Sequence, residues 1–320
     1  MKNEMSIIER ALEKLGRQRN FAGEIPDSPL DHGRTGDSFP LLEDIDQQPA
    51  LRDEPDIEMI ADVGNGGAGP EKKSSDVVTI DLRKLDSLGF ITPKTANLHL
   101  FEQYRHIKMQ VLSDDLKRRS ASNANIIVIT SAVPGEGKTY SSINLALSIA
   151  YEYNHTVLFI DGDVHKKTSS RILEINERPG LLDYLTGEKT ELADLLLSTN
   201  IEKFTVLPNG RFHDRATELY NSKRMQLLMQ ELSKRYSDRL IIIDTPPLLQ
   251  DTSASAIARI AGNIIMVVEA EKTPRHYVEE SLRRINRDKL LGIILNKSNQ
   301  RHDSEYGYYS SYGRSNAVAS

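Results

Sequence analysis

The chain has 320 residues, 38% hydrophobic and 27% charged, enough for one large domain with appendages but not for a core along its whole length. With no cysteine, a disulfide framework, a thiolate zinc site and a cysteine nucleophile are all excluded. A net charge of −5 argues against a dedicated nucleic-acid binder, and no uncharged apolar run or signal-peptide core is long enough for a membrane span or leader, so the expectation is a soluble, cytoplasmic protein with no nucleic-acid partner.

Residues 1–20 predict an amphipathic helix. Ser6-Ile7-Ile8-Glu9 has capping-box spacing, and Ile8, Ala11, Leu12 and Leu15 recur at helical intervals. A helix of about 12 residues is marginal alone in water, so a docking role on a partner or a membrane surface is expected. Residues 21–80 hold 14 Asp/Glu against 4 Lys/Arg, a net 4 − 14 = −10, together with 13 of the chain's 32 Gly and Pro. Such a stretch cannot bury enough apolar area to offset its chain entropy and reads as a disordered linker.

Residues 81–300 turn globular. Ala96 to Arg119 predicts one long helix, with Leu100, Tyr104, Ile107 and Val111 on one side. Strands are expected at Ile126–Thr130, Thr156–Ile160, Phe204–Leu207, Leu240–Ile243, Ile264–Val268 and Gly292–Leu295. Between them, Tyr140–Glu152, Ala216–Arg235, Ser253–Ala261 and Arg275–Asp288 have helical character. Strands without polar alternation that alternate with helices predict an α/β fold, a mainly parallel sheet covered on both faces. The last twenty residues, 301–320, are rich in Ser, Gly and Tyr and read as a flexible tail.

Ser131-Ala132-Val133-Pro134-Gly135-Glu136-Gly137-Lys138-Thr139 follows a strand and opens a helix, the setting a phosphate-binding loop needs. Backbone N–H groups and the helix dipole would hold phosphates along Pro134, Gly135, Glu136, Gly137, Lys138, Thr139 and Tyr140. Lys138 would reach the β- and γ-phosphates, and the Thr139 hydroxyl would ligate Mg²⁺. Ala132 departs from the pattern, which asks for Gly there. Asp161 and Asp163 end one strand and Asp244 ends another, so the three should converge beyond the carboxyl ends of the sheet, beside Lys138. The expected ligands are therefore ATP and Mg²⁺, with Thr139, Asp163 and Asp244 toward the metal.

Phosphate loop, Asp161-Gly162-Asp163 and Asp244-Thr245-Pro246-Pro247 together resemble the bacterial tyrosine kinases (BY-kinases), P-loop proteins unrelated to the eukaryotic kinase fold. The opening Met5–Leu15 run, Ile91-Thr92-Pro93 and the Glu102–Lys108 segment are most similar to the exosortase-associated tyrosine autokinases of polysaccharide biosynthesis. The resemblance implies that Lys138 and Thr139 bind Mg-ATP, that Asp161 or Asp163 is the base for a tyrosine hydroxyl, and that Asp244 is the Walker B acid. It implies that Glu102, Arg105 and Lys108, three apart on roughly one helix face, form a subunit contact in a homo-oligomeric ring, although Lys108 stands where the family has Arg. Asn296 occupies the place where related ATPases hold an Asn near the base. His165-Lys166-Lys167 replaces the family's Arg and Pro, so a phosphate-side arginine is missing. A separate membrane-spanning chain-length adaptor is implied, which would bring the protein to the inner membrane as a peripheral partner.

Tyr306, Tyr308, Tyr309 and Tyr312 place four of the 12 tyrosines within seven residues of the tail and are the expected autophosphorylation sites. Two alternatives stand beside the kinase. One is a non-catalytic nucleotide-binding regulatory subunit of a polysaccharide export machine. The other is a partition- or positioning-type deviant P-loop ATPase, whose early loop lysine is Val133 here.

Overall fold

A computed structural model describes residues 77–95, 97–112, 123–152, 154–189, 191–235 and 239–298. The predicted helix of residues 1–20, the linker up to residue 76 and the tail with its four clustered tyrosines lie outside the described residues.

Six aliphatic runs form parallel strands: β1 (Ile126–Ser131), β2 (Thr156–Asp161), β4 (Phe204–Leu207), β5 (Arg239–Asp244), β6 (Asn263–Glu269) and β7 (Leu290–Asn296). A two-residue strand missed by the sequence reading, β3 (Leu197–Ser198), pairs antiparallel with β4 and covers one edge. The order across the sheet is β3-β4-β2-β5-β1-β6-β7. Strand residues alternate faces. Ile126, Val128, Leu158, Ile160, Ile241 and Ile243 pack into one core, while Ile127, Ile129, Val157, Phe159 and Ile242 pack into a second on the opposite face. Both faces are dry, which is why these strands carry no polar alternation.

The helices in chain order are α1 (Leu82–Ser87), α2 (Leu98–Val111), α3 (Lys138–Ala150), α4 (Thr168–Ile172), α5 (Leu181–Thr186), α6 (Ala216–Asn221), α7 (Lys223–Arg235), α8 (Thr252–Ile260) and α9 (Arg275–Arg283). Helix α2 starts later than Ala96 because Asn97 caps it, its side-chain oxygen accepting from the Leu100 N–H at 3.0 Å. Its described part ends at Val111, and the expected extension to Arg119 lies outside the described residues. The segment Ala216–Arg235, expected to be helical, forms two helices. Ser222 adopts an extended conformation, and its hydroxyl accepts from Met225 N–H at 3.2 Å, capping a new helix. Likewise α9 stops at Arg283, well before Asp288. The short α1, α4 and α5 were invisible to a periodicity reading, since five or six residues hold less than two turns.

Composition put the linker boundary at residue 80, yet Val78 and Ile80 belong to the folded domain. Val78 N–H donates to the Ser198 carbonyl at 2.9 Å, and the Val78 carbonyl accepts from Asn200 N–H at 3.1 Å. The Asn200 side chain then completes the join, accepting from Ile80 N–H at 2.8 Å and donating to its carbonyl at 3.1 Å. With Ile80 1% exposed, the charge-dense stretch before it had masked a short apolar anchor. Ile80→Ala should destabilise the domain by about 2–4 kcal/mol, read as a lowered urea midpoint with an unchanged slope.

Candidate active site

In a parallel sheet every strand ends on the same side, so the loops after β1, β2 and β5 meet there. The phosphate loop runs from Ser131 at the end of β1 to Lys138 at the start of α3. Gly135 and Gly137 take left-handed conformations, with φ of 88° and 95°. At Gly137 a Cβ would also stand 2.0 Å from the Asn296 side-chain nitrogen, so a larger residue would both strain the backbone and displace Asn296. The loop is held from behind. Glu136 is buried, and its carboxylate accepts from Val133 N–H at 2.8 Å, from Glu269 N–H at 3.3 Å and from the Thr273 hydroxyl at 2.5 Å. Asn296 donates to the Glu136 carbonyl and Lys297 to the Gly135 carbonyl, at 2.8 and 2.7 Å. Ala132, the departure from the loop pattern, is itself buried in the core.

The carboxylates gather as expected. Asp161 and Asp244 are register partners on adjacent strands β2 and β5, so two acids end side by side. Between the acids and the loop lies Lys138, whose ammonium donates to Asp163 Oδ2 at 2.7 Å. Burial opposes the Lys138 charge, but Asp244, Asp163 and Asp161 outweigh it and raise the ammonium's pKa. Burial also works against the Asp163 charge, and Lys138 with the N–H groups of Lys166 and His165 overcomes it, so this carboxyl is lowered. For Asp161, burial dominates and raises the pKa, although Ser170 donates to Oδ2 at 2.6 Å. Burial likewise pushes Asp244 up to about 7. Neither of its oxygens meets a hydrogen-bond donor among the described residues, the Thr139 hydroxyl lying near enough to favour the charge but outside hydrogen-bond geometry.

The other expected site residues divide. Tyr140 turns its ring onto Phe90, and its hydroxyl donates to the Gly89 carbonyl at 2.7 Å, so only its backbone lies with the loop. Asn296 does stand beside the phosphate loop, with its amide nitrogen committed to Glu136. Glu102, Arg105 and Lys108 do not share a face. Arg105 pairs with Glu102 at 3.2 Å on the exposed side, while Lys108 is buried and pairs with Glu152. Each step of three residues falls about 60° short of a full turn, so the third member rotates inward. In the His165-Lys166-Lys167 run, Lys167 donates to the Gly210 carbonyl at 2.7 Å and His165 Nε2 lies 2.7 Å from Asp251 Oδ2, leaving Lys166 exposed.

Sequence reading missed Ser170, Asn209, Thr273 and Lys297. Asn209 donates to the Asp161 carbonyl at 3.1 Å and to Tyr220 Oη at 2.9 Å, positioning the strand end from the side. Asn209, Thr273 and Lys297 lie in loops and Ser170 in the short α4, where lone polar residues give no periodic or motif signal.

A buried carboxylate without a donor, a buried ammonium and a glycine cradle together suit a metal-bound polyphosphate. The raised Asp244 pKa also sets a pH dependence. Its folded-state value exceeds the unfolded one of about 3.9, so the stability it contributes is present in acid and is lost as pH rises through about 7. Asp244→Asn should therefore match the wild-type melting temperature near pH 4 and exceed it increasingly up to pH 7. The difference levels off above that, at no more than about 4 kcal/mol, as thermal melts across pH would record.

A sequence profile described as "AAA domain" matches residues 124–291, more than half the chain. The tyrosine-protein kinase YwqD of Bacillus subtilis (strain 168) is 32% identical over 219 residues, covering 68% of this chain and 88% of YwqD. The tyrosine-protein kinase wzc of Salmonella typhimurium is 35% identical over 189 residues, covering 58% of this chain but only 26% of wzc, so this chain spans about a quarter of that relative's length. Among solved structures, the kinase domain of Escherichia coli tyrosine kinase ETK superposes with a TM-score of 0.56 at 29% identity, over 66% of this chain and 81% of that domain. With the phosphate loop and its three strand-end carboxylates in place, these likenesses establish that the chain belongs to the bacterial tyrosine-protein kinase family.

Proposed function

We propose that the protein is an ATP-dependent protein-tyrosine autokinase that transfers the γ-phosphoryl group to Tyr306, Tyr308, Tyr309 and Tyr312 of a neighbouring copy. The observation that carries the reading is Lys138, buried among Asp161, Asp163 and Asp244 at a phosphate loop. Mg-ATP would supply a γ-phosphoryl group whose transfer asks the protein for positioning and charge stabilisation. Backbone N–H groups from Gly135 to Thr139 would hold the phosphates, and Lys138 would turn from Asp163 toward them. Among the described residues no three His, Asp or Glu side chains form a ready metal site. Mg²⁺ would therefore rely on Thr139, Asp244 and Asp163 together with water and phosphate.

The two acids after β2 have unlike environments, which suggests unlike roles. Asp163, lowered by Lys138 and two N–H groups, suits a metal ligand. Asp161, raised by burial, has the greater proton affinity of the two and would serve as the base, taking the phenol proton as the tyrosine oxygen bonds to the γ-phosphorus and ADP departs. A ring assembly, service to exopolysaccharide synthesis or export, and recruitment to the inner membrane by a separate membrane-spanning chain-length adaptor complete the reading. Among the described residues no helix is long and apolar enough to cross a membrane. In this reading the exposed Glu102–Arg105 pair of α2 would make the subunit contact, and the buried Lys108 would not.

Incubation with Mg-ATP should give phosphotyrosine in the tail, detected by antibody and mass spectrometry. Lys138→Met should abolish it, and survival of the signal would refute the assignment. Asp161→Asn should slow it at least about a hundredfold with nucleotide affinity little changed, whereas Asp163→Asn should raise the Mg²⁺ requirement.

Four phosphotyrosines would add roughly −6 to −8 charges to the tail, expelling it from a neighbour's carboxylate-rich site. Phosphatase treatment should therefore increase the sedimenting mass, and identical masses would contradict this.

A further inference from the structure

Asp161 and Asp163 flank Gly162, where a side chain is not accommodated: a Cβ would stand 2.8 Å from the Asp244 carbonyl oxygen and 3.2 Å from Ile243. Glycine has the greatest backbone freedom of any residue, so the turn cannot fix the angle between the two carboxylates by itself. The fold fixes it from outside. Two peptide units join Asp161 to Asp163, and each is tied at both ends. In the first, the Asp161 carbonyl accepts from Asn209 Nδ2 at 3.1 Å and the Gly162 N–H donates to the Asp244 carbonyl at 2.8 Å. In the second, the Gly162 carbonyl accepts from the Tyr220 hydroxyl at 3.4 Å and the Asp163 N–H donates to Asp161 Oδ1 at 3.2 Å.

Two of these ties come from the strand-end acids themselves. The other two come from Asn209, in the loop after β4, and from Tyr220 on α6. Tyr220 is fully buried, and packing alone asks only for its ring. A Phe would fill the same space, whereas a phenol oxygen taken out of water is costly unless it is bonded. Here it is bonded on both sides, accepting from Asn209 Nδ2 at 2.9 Å and donating to the Gly162 carbonyl. Asn209 is 1% exposed, and its amide nitrogen serves this cluster alone, donating to Asp161 and to Tyr220. A buried phenol and a buried amide thus converge on the only flexible residue between the two acids.

We propose that Tyr220 and Asn209 are positioning residues for phosphoryl transfer: they hold the Asp161-Gly162-Asp163 turn so that Asp163 is presented to the metal of the bound nucleotide and Asp161 to the acceptor phenol. Neither side chain touches the reacting atoms. They act as the outer partners that orient a metal ligand, whose loss weakens the metal more than it weakens the fold. The role of Asp161 rests on the kinase reading, while that of Asp163 needs only a Mg²⁺-nucleotide at the phosphate loop.

Calorimetry of ADP binding to the full chain, with and without Mg²⁺, reads the metal's contribution in the absence of any transfer. Tyr220→Phe keeps the ring and removes only the hydroxyl. It should cut the strengthening of ADP binding by Mg²⁺ about tenfold and leave the Mg²⁺-free affinity at the wild-type value. At saturating Mg-ATP, kcat for phosphotyrosine formation should fall by about the same factor. Asn209→Ala should act likewise, and the double variant should lose no more than the larger single loss, because the two act as one unit. The proposal is overturned if Tyr220→Phe leaves the Mg²⁺ effect intact, or if the Mg²⁺-free affinity falls in parallel, which marks damage to the fold. It is overturned too if the two losses multiply in the double variant, or if Mg²⁺ has no effect on the wild type. A wild type that binds Mg-ADP tightly yet forms no phosphotyrosine would sink the kinase reading and leave the Mg²⁺ comparison to decide this one.

Discussion

One ammonium among three carboxylates organises the catalytic end of the molecule. Asp161 and Asp244 end neighbouring parallel strands in register, which by itself would set like charges side by side in a buried place. Lys138 makes that arrangement tolerable, and the phosphate loop delivers it there because the loop leaves the strand next to β5. The compensation is incomplete, since Asp244 keeps a raised proton affinity and two oxygens without donors. A site held in this state, short of positive charge and of oxygen partners, is preorganised for a metal-bound polyanion.

Much of this was legible in the sequence because parallel sheets write themselves plainly. Each strand is an uninterrupted aliphatic run, and the acids that follow β2 and β5 can only emerge on the phosphate-loop side. What the sequence concealed falls into two kinds. Short elements such as α4, α5 and β3 hold too few residues for a period to show. The break at Ser222 was hidden in strong helical patterning on either side, where a capping hydroxyl outweighed propensity. Lys108 leaves the face of Glu102 and Arg105 because spacing of three drifts around a helix, which buries it beside Glu152. The polar groups that hold the site from behind, Glu136 through Thr273 and Asn209 through Tyr220, depend on contacts more than 130 residues apart in one case and 11 in the other. Neither leaves a local mark.

The sequence departures are absorbed by the structure in different ways. Ala132 is buried where a small side chain packs into the core. Lys167, in the run where relatives were expected to carry Arg and Pro, ties α4's approach to Gly210. This loop therefore joins the nucleotide side of β2 to the segment after β4 through a side-chain-to-backbone hydrogen bond.

Glu136 gives the phosphate loop a mechanical consequence of its own. Its carboxylate grips Glu269 at the end of β6 and Thr273 just ahead of α9, while Asn296 and Lys297 brace the same loop from β7. The loop is thus geared to the far third of the sheet. One carboxylate therefore fastens the phosphate loop both to the end of β6 and to the root of α9, the helix on which Tyr277 is exposed.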